Sequence, residues 1–295
     1  MTIAALPAAR TATSVQQEID QARRNGPLQK IVIPPCPELL VRLQATLALP
    51  EPDLNEVARI AASDVAMSAT LLKGANGPLF ASVQPVSTIG QAMNRLGLGK
   101  TAELMTGFLT QRAFPVDNPH MKRFWERATK RALAMGFIAG KLPGMSADLA
   151  HTYGLFCHVG MPVMMQSLKG YGSTMVEARA RIDRPFIATE NANHRTDHAV
   201  VGALVARVWK LSPLLVAAIR LHHDLDMLGQ QDTEPDVHTM IAAGLMAEHL
   251  MRRHEGEEPD SDWNTHAPAA LRWLQVNEDE LPTWEDEAQE VLDAA

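Results

Sequence analysis

Residues 124–142 read FWERATKRALAMGFIAGKL, and the apolar positions Trp125, Ala128, Ala132, Met135, Ala139 and Leu142 recur along them. Steps of three and four residues place all six on one face of a 3.6-residue helix, whereas a strand would need alternation. Pro143-Gly144 stops the pattern, because proline clashes with a continuing helix and glycine suits the turn after one.

The same grammar extends in both directions. Upstream, Ser14 with Gln17 forms a capping-box pattern and Asn25-Gly26-Pro27 stops that helix. Pro34, Pro35 and Pro37 set a rigid extended approach to a helix carrying Leu40, Leu43 and Leu47. Asp53 with Glu56 opens the next helix, which ends near Ser63-Asp64, and Asp64 caps a piece with Met67, Leu71 and Leu72 that Asn76-Gly77-Pro78 breaks. Ser87 is the predicted cap of a helix closed by Gly97 and Gly99, and a further apolar helix runs to about Phe114. Residues 115–119 form a loop that divides two lobes. Downstream, Ser146, Asp197 and Ser212-Pro213 read as helix starts, and a helix is predicted from Asp236 to about Arg253. Pro268 and Thr283 each read as the start of a short terminal helix.

Composition agrees with an all-α fold. Ala, Leu and Met abound and only 5% of the 295 residues are aromatic, so helix formers outweigh the residues that favour strands. The expected organisation is an N-terminal helix and link over 1–30, a helical lobe over 31–115, a second lobe over 120–225, and an acidic helical extension over 226–295.

Net charge is −7, and the paired arginines Arg23-Arg24 and Arg252-Arg253 are isolated. Neither makes the basic face that phosphate neutralisation requires, so no nucleic-acid partner is expected. Cys36 and Cys157 give no disulfide framework and suit a reducing compartment. Ile3 to Ala9 is too short for the apolar region of a signal peptide. No stretch supplies the roughly 20 apolar residues of a spanning helix, so a cytoplasmic protein without a membrane partner is expected.

Among eleven histidines, placement matters more than number. His222 shares a helical face with Leu215, Ala218 and Ile219; His198 lies on the side of Val201 and Val205; Cys157-His158 ends an apolar segment between Gly154 and Gly160. Three helices of a bundle can bring such positions together. Each residue can equally be a core group bonded to a backbone carbonyl, with Cys157 acting as a small hydrophobe.

Taken in order, these elements resemble the HDOD family, signalling relatives of the HD-domain metal-dependent phosphohydrolases. The resemblance runs from Ile33-Pro34-Pro35-Cys36-Pro37 through Asp64, Leu71-Leu72 and Asn76, then Ile89, Ala92 and Leu96-Gly97. It continues with Phe124-Trp125, Gly154 to Gly160, Glu190 with His198 and Gly202, and Trp209 with His222-His223. Val65 and Gly77 depart from the family's pattern.

The resemblance implies a second lobe like an HD-domain bundle, and a regulatory rather than catalytic role. HD hydrolases hold metal with a first histidine, a His-Asp pair, and later His and Asp ligands. Here the first position falls on Arg127, and the flanking glycines register the pair as Cys157-His158. The bridging carboxylate is therefore lost, and Arg127 places positive charge where a cation would sit. The expectation is no catalytic residue, no cofactor and no metal, although a thiolate-imidazole site from Cys157, His158, His198 and His222 remains chemically possible. Arg127, Cys157, His158, Glu190, His198, His222 and His223 are then candidate ligand-binding residues in the old cleft, serving a signalling protein partner or a small ligand such as a cyclic dinucleotide. Arg127, Arg131, Arg195 and Arg220 are candidates to meet phosphates. The alternative is a diverged phosphohydrolase acting on nucleotides or cyclic dinucleotides. If no metal binds, each converging imidazole should find a hydrogen-bond partner, because an unsatisfied buried polar group costs about 1–3 kcal/mol.

Overall fold

The structure, a computed structural model, describes residues 12–25, 27–80, 84–115, 119–181, 183–228 and 234–293. Ile3 to Ala9, Gly26, residues 116–118 of the expected dividing loop, and the side chains of Arg23-Arg24 lie outside the described residues. Among the described residues there is no strand.

The first helices, α1 (Ala12–Asn25), α2 (Glu38–Leu47), α3 (Leu54–Ala62) and α4 (Val65–Ala75), follow the local signals closely. Asp53 caps α3 by accepting from the Asn55 N–H, and Asp64 caps α4 by accepting from Ala66 and Met67. Two expectations need correction. Helix α1 already includes Ala12, so Ser14 sits inside it rather than at its cap. Glu56 is drawn to the Arg42 guanidinium at 2.6 Å instead of completing a box with Asp53.

Helix α5 (Ile89–Arg112) departs from the sequence reading in two ways. Its cap is Thr88, not Ser87: the Thr88 hydroxyl accepts from the Gln91 N–H, and Gln91 Oε1 accepts from both Thr88 and Ser87. It also runs on past Gly97, whose φ of +74° marks a kink rather than an end. Glycine tolerates that left-handed value, so the chain bends and continues.

The opening stretch becomes α6 (Pro119–Lys141), with Trp125, Ala128, Ala132, Met135 and Ala139 buried. Helix α7 (Ala147–Phe156) lies so close on it that a Cβ on Gly154 would stand 2.7 Å from the Ala132 Cα and the Arg131 carbonyl. After a turn at Cys157–Val159 come α8 (Gly160–Ser167), α9 (Tyr171–Ala180), α10 (Phe186–His194), α11 (His198–Val208) and α12 (Pro213–Leu221). Gly160 touches α11 backbone to backbone, since a Cβ there would meet the His198 carbonyl at 2.1 Å. Both glycines flanking Cys157-His158 are thus demanded by helix contact.

The C-terminal extension forms α13 (Pro235–His254), α14 (Ser261–Leu274) and α15 (Leu281–Leu292). Helix α13 packs on α6, α7 and α12, and α15 packs on α6 and α13. Pro268 lies within α14 rather than starting it. Asp260 caps the helix eight residues earlier, accepting from Trp263, and Trp263, Ala270, Leu271 and Leu274 are buried on its inner face. That burial outweighs the roughly 3 kcal/mol an internal proline costs. One continuous buried cluster runs from Val15 in α1 to Leu292 in α15, so helices from both ends of the chain share a core. The Trp209 indole N–H donates to the Pro34 carbonyl at 2.9 Å, fastening the proline-rich approach onto the second lobe.

Candidate functional site

Four imidazoles meet where α8, α11 and α12 converge. His158 comes from the turn before α8, His198 opens α11, and His222 and His223 leave the end of α12. One ring nitrogen from each lies within 4.8 Å of all the others. The Gly160 contact explains the meeting of His158 with His198, whose ring centroids are 5.0 Å apart. His222 and His223 sit at 4.0 Å centroid separation.

Two of the rings are oriented from behind. His198 Nδ1 lies 2.7 Å from Glu190 Oε2, and Glu190, fully buried on α10, also accepts from the His198 N–H and the Tyr171 hydroxyl. His222 Nδ1 lies 2.7 Å from the Ile219 carbonyl, which can only accept. Both pairings place the proton on Nδ1 and leave a lone pair on Nε2. His198 Nε2 faces His223 Nε2 at 3.1 Å, while His222 Nε2 is buried without any partner. His158 makes ring contacts with the other three but no hydrogen bond among the described residues. The expectation that every converging imidazole finds a hydrogen-bond partner is therefore met at His198, His222 and His223 and not at His158, although the second nitrogen of His222 stays orphaned.

Electrostatics disfavour charge on His158, His222 and His223. Burial, then neighbouring Arg131 and the other imidazoles, hold the His158 pKa well below the ordinary histidine value. Burial and the adjacent rings do the same at His222 and His223. Cys157 is buried beside Tyr153, and burial pushes its thiol up to about 11. Its sulfur does not belong to the metal-capable group. The thiolate-imidazole set of Cys157, His158, His198 and His222 is corrected accordingly: His223 stands where Cys157 was expected.

A cavity of about 500 Å³ opens onto the cluster, and Arg127, Arg131, Cys157, His158, His198, His222 and His223 line it. Glu190 stands behind His198, outside the lining. Of the expected phosphate contacts, Arg195 is the exposed C-cap of α10 and Arg220 pairs with Glu18 of α1, so neither reaches the cavity. The lining also holds Arg123 and Arg179, which the sequence did not single out, and Arg252, which it read only as part of an isolated pair.

Arg127 is clamped to Glu248 of α13 and to Glu255 at the helix's C-cap, and Arg131 donates to Glu248 at 3.1 Å. Burial opposes the Glu248 charge, yet Arg131 and Arg127 hold its pKa below the usual carboxylate value. No sequence signal marks these pairings, since the partners lie 121 and 128 residues apart in the chain. Among the described residues, the metal-capable group contains no carboxylate and no His-Asp pair.

Several known proteins share this architecture. Over 95% of the chain superposes on an HDOD domain protein from Geobacter sulfurreducens, covering 98% of it, at TM-score 0.66 and 19% identity. A Shewanella amazonensis protein, described as a phosphohydrolase, gives TM-score 0.69 at 19% identity over 95% of this chain and 97% of that one. One from Marinobacter aquaeolei, described as a signal transduction protein, gives 0.72 at 18% identity over 96% and 64%. These likenesses show the fold. In sequence, an uncharacterised Treponema pallidum protein is 25% identical over 230 residues, which is 77% of this chain but 44% of that protein, so the match spans less than half of the relative's length. The HDOD domain description matches residues 33–225, from the proline-rich approach to the residue after His222-His223-Asp224, and the chain belongs to the HDOD domain family.

Proposed function

We propose that the chain is a non-catalytic signal-transduction module that acts by binding a signalling protein, with the cavity beside the histidine cluster as a seat for a small anionic ligand such as a cyclic dinucleotide. The observation that carries this reading is the fate of the first-histidine position. Arg127 occupies it and spends its charge on Glu248 and Glu255 of the C-terminal extension. Phosphoester hydrolysis of the HD type needs a water held between hard cations, and such cations favour carboxylate ligands. The histidine group offers none.

Arg127, Cys157, His158, His198, His222 and His223 form the proposed ligand-facing wall, and Glu190 is a positioning residue for His198. Arg179 is the favoured anion anchor, because it lines the cavity near Arg123 and Arg127 and makes no salt bridge among the described residues, Glu257 acting on it only from a distance. A description as a signal transduction protein attaches to the Marinobacter relative, and the same role suits this chain.

Thermal melts of the full chain with a panel of nucleotides and cyclic dinucleotides test the ligand part. A stabilising ligand that is recovered intact, and whose effect Arg179→Ala removes, supports the reading. A ligand consumed during the incubation in a His198-dependent manner overturns it.

A further inference from the structure

The geometry points to a mononuclear binding site for a borderline divalent cation, Zn²⁺ above all, held by His158, His198, His222 and His223. The first observation is convergence: four donor nitrogens lie within 4.8 Å of one another. Tetrahedral zinc with nitrogen ligands at about 2.0–2.1 Å places those nitrogens about 3.3 Å apart. The 3.1 Å between His198 Nε2 and His223 Nε2 is already close to that spacing.

The second observation is tautomer control. A ligating imidazole must offer a bare lone pair, and its other nitrogen is ordinarily fixed by a carboxylate or a carbonyl. Glu190 fixes His198 in this way, and the Ile219 carbonyl fixes His222. Tyr171 in turn holds Glu190. The third is the orphan: His222 Nε2 is buried, points into the cluster and has no partner. Buried polar atoms are rarely left so, and a cation at the centre would satisfy it together with the unbonded His158. His223 would then carry its proton on Nδ1, turning its contact with His198 from a hydrogen bond into shared ligation.

Two features of the sequence oppose a metal, the lost carboxylate and the positive charge of Arg127. Glu248 and Glu255 take up that charge, and Glu248 also takes up Arg131. Neutral imidazoles without carboxylate suit Zn²⁺, Ni²⁺ or Co²⁺ and disfavour Mg²⁺ or Ca²⁺, which need oxygen ligands. Four protein ligands also close a tetrahedral shell, leaving no position for an activated water. Such a site staples α8, α11 and α12 and does no hydrolysis.

The experiment uses the full chain, stripped with a chelator and dialysed. Titration with Zn²⁺ should give one ion per chain and raise the melting temperature by several degrees, while millimolar Mg²⁺ should leave it unchanged. Co²⁺ should give the intense visible absorption of four-coordinate nitrogen ligation. Glu190→Gln keeps the fold's shape but weakens the orientation of His198, and should lower Zn²⁺ affinity about 10- to 100-fold. Absence of stoichiometric binding, or a Co²⁺ spectrum of six-coordinate oxygen ligation, overturns the proposal even if histidine variants fail to fold. Undiminished Zn²⁺ binding by His158→Ala/His222→Ala overturns it too. Metal content and turnover are separate readouts: a bound ion with phosphoester turnover would keep the site and remove the regulatory reading.

Discussion

His158, His198 and His222 were legible as inward-facing because each sits on or beside an apolar stripe, and the fold brings all three together. Which neighbour joins them was not legible. Cys157 and His223 are both adjacent to a cluster member in sequence, and only the turn at 157–159 and the end of α12 decide that the thiol turns toward Tyr153 while the imidazole turns inward. A consequence at this scale is that Cys157 is chemically quiet. With its pKa near 11, about one part in a thousand is thiolate at pH 8. A thiol reagent at that pH should label the half-buried Cys36 at least tenfold faster than Cys157, read by mass spectrometry of the digested chain. Equal labelling would mean that the 153–160 region opens.

At the level of elements, the caps read from sequence at Asp53, Asp64, Ser146, Asp197 and Ser212 are all in place, because a cap is a contact over two or three residues. The misreadings have separate causes: at Pro268 burial of the helix overrules the local signal, at Gly97 a left-handed φ turns the expected stop into a kink, and at Ser87 the cap falls one residue on, at Thr88. Helix contacts bearing on the site are testable. Gly160→Ala would drive a methyl into the His198 carbonyl, only 2.1 Å from the ideal Cβ, and α8 and α11 would have to separate. The expected result is a loss of at least about 3 kcal/mol or failure to fold, whereas Gly140→Ala, with open space around it, should be neutral or mildly stabilising. Equal denaturant midpoints for the two variants would contradict the packing described.

Arg127 belongs to the same scale, since it ties α6 to α13. Arg127→Ala strands Glu248 and Glu255 with only Arg131 and Lys130 nearby. Removing one partner of a buried pair costs about 3–5 kcal/mol, and about 2 kcal/mol is expected here because the network is partly solvated. Urea unfolding of Arg127→Ala beside Arg127→Ala/Glu255→Gln checks it: the second change should recover part of the loss.

For the whole molecule, α13, α14 and α15 belong to the same packed core, and α13 lines the cleft. Sequence showed only the acidity and the helix starts of this stretch, because Glu248 and Glu255 find their arginines through tertiary packing. No helix among the described residues is long and apolar enough to cross a membrane.

The buried imidazoles also set a pH dependence for the metal-free chain. Folded, His158, His222 and His223 titrate well below 6.5; unfolded, they titrate near it. Below about pH 6.5 the unfolded state therefore binds more protons, and stability falls as pH falls, by at most about 1.4 kcal/mol per unit for each group. The fall ends only when the depressed folded values are reached. Arg131 on α6 presses the same way, and Glu190 on α10 faces His198. Melting temperature with chelator present should be flat from about pH 7 to 8 and drop steeply toward about pH 5. A flat profile across that range would show that the three rings do not resist protonation as described.

The histidine cluster is assigned here to regulation and not to hydrolysis. The most direct test is steady-state turnover of nucleotides and cyclic dinucleotides by the full chain, with Mn²⁺, Fe²⁺ or Mg²⁺ supplied. No product above the protein-free background is expected with any of them. Turnover that His198→Ala and His222→Ala both abolish would contradict the account.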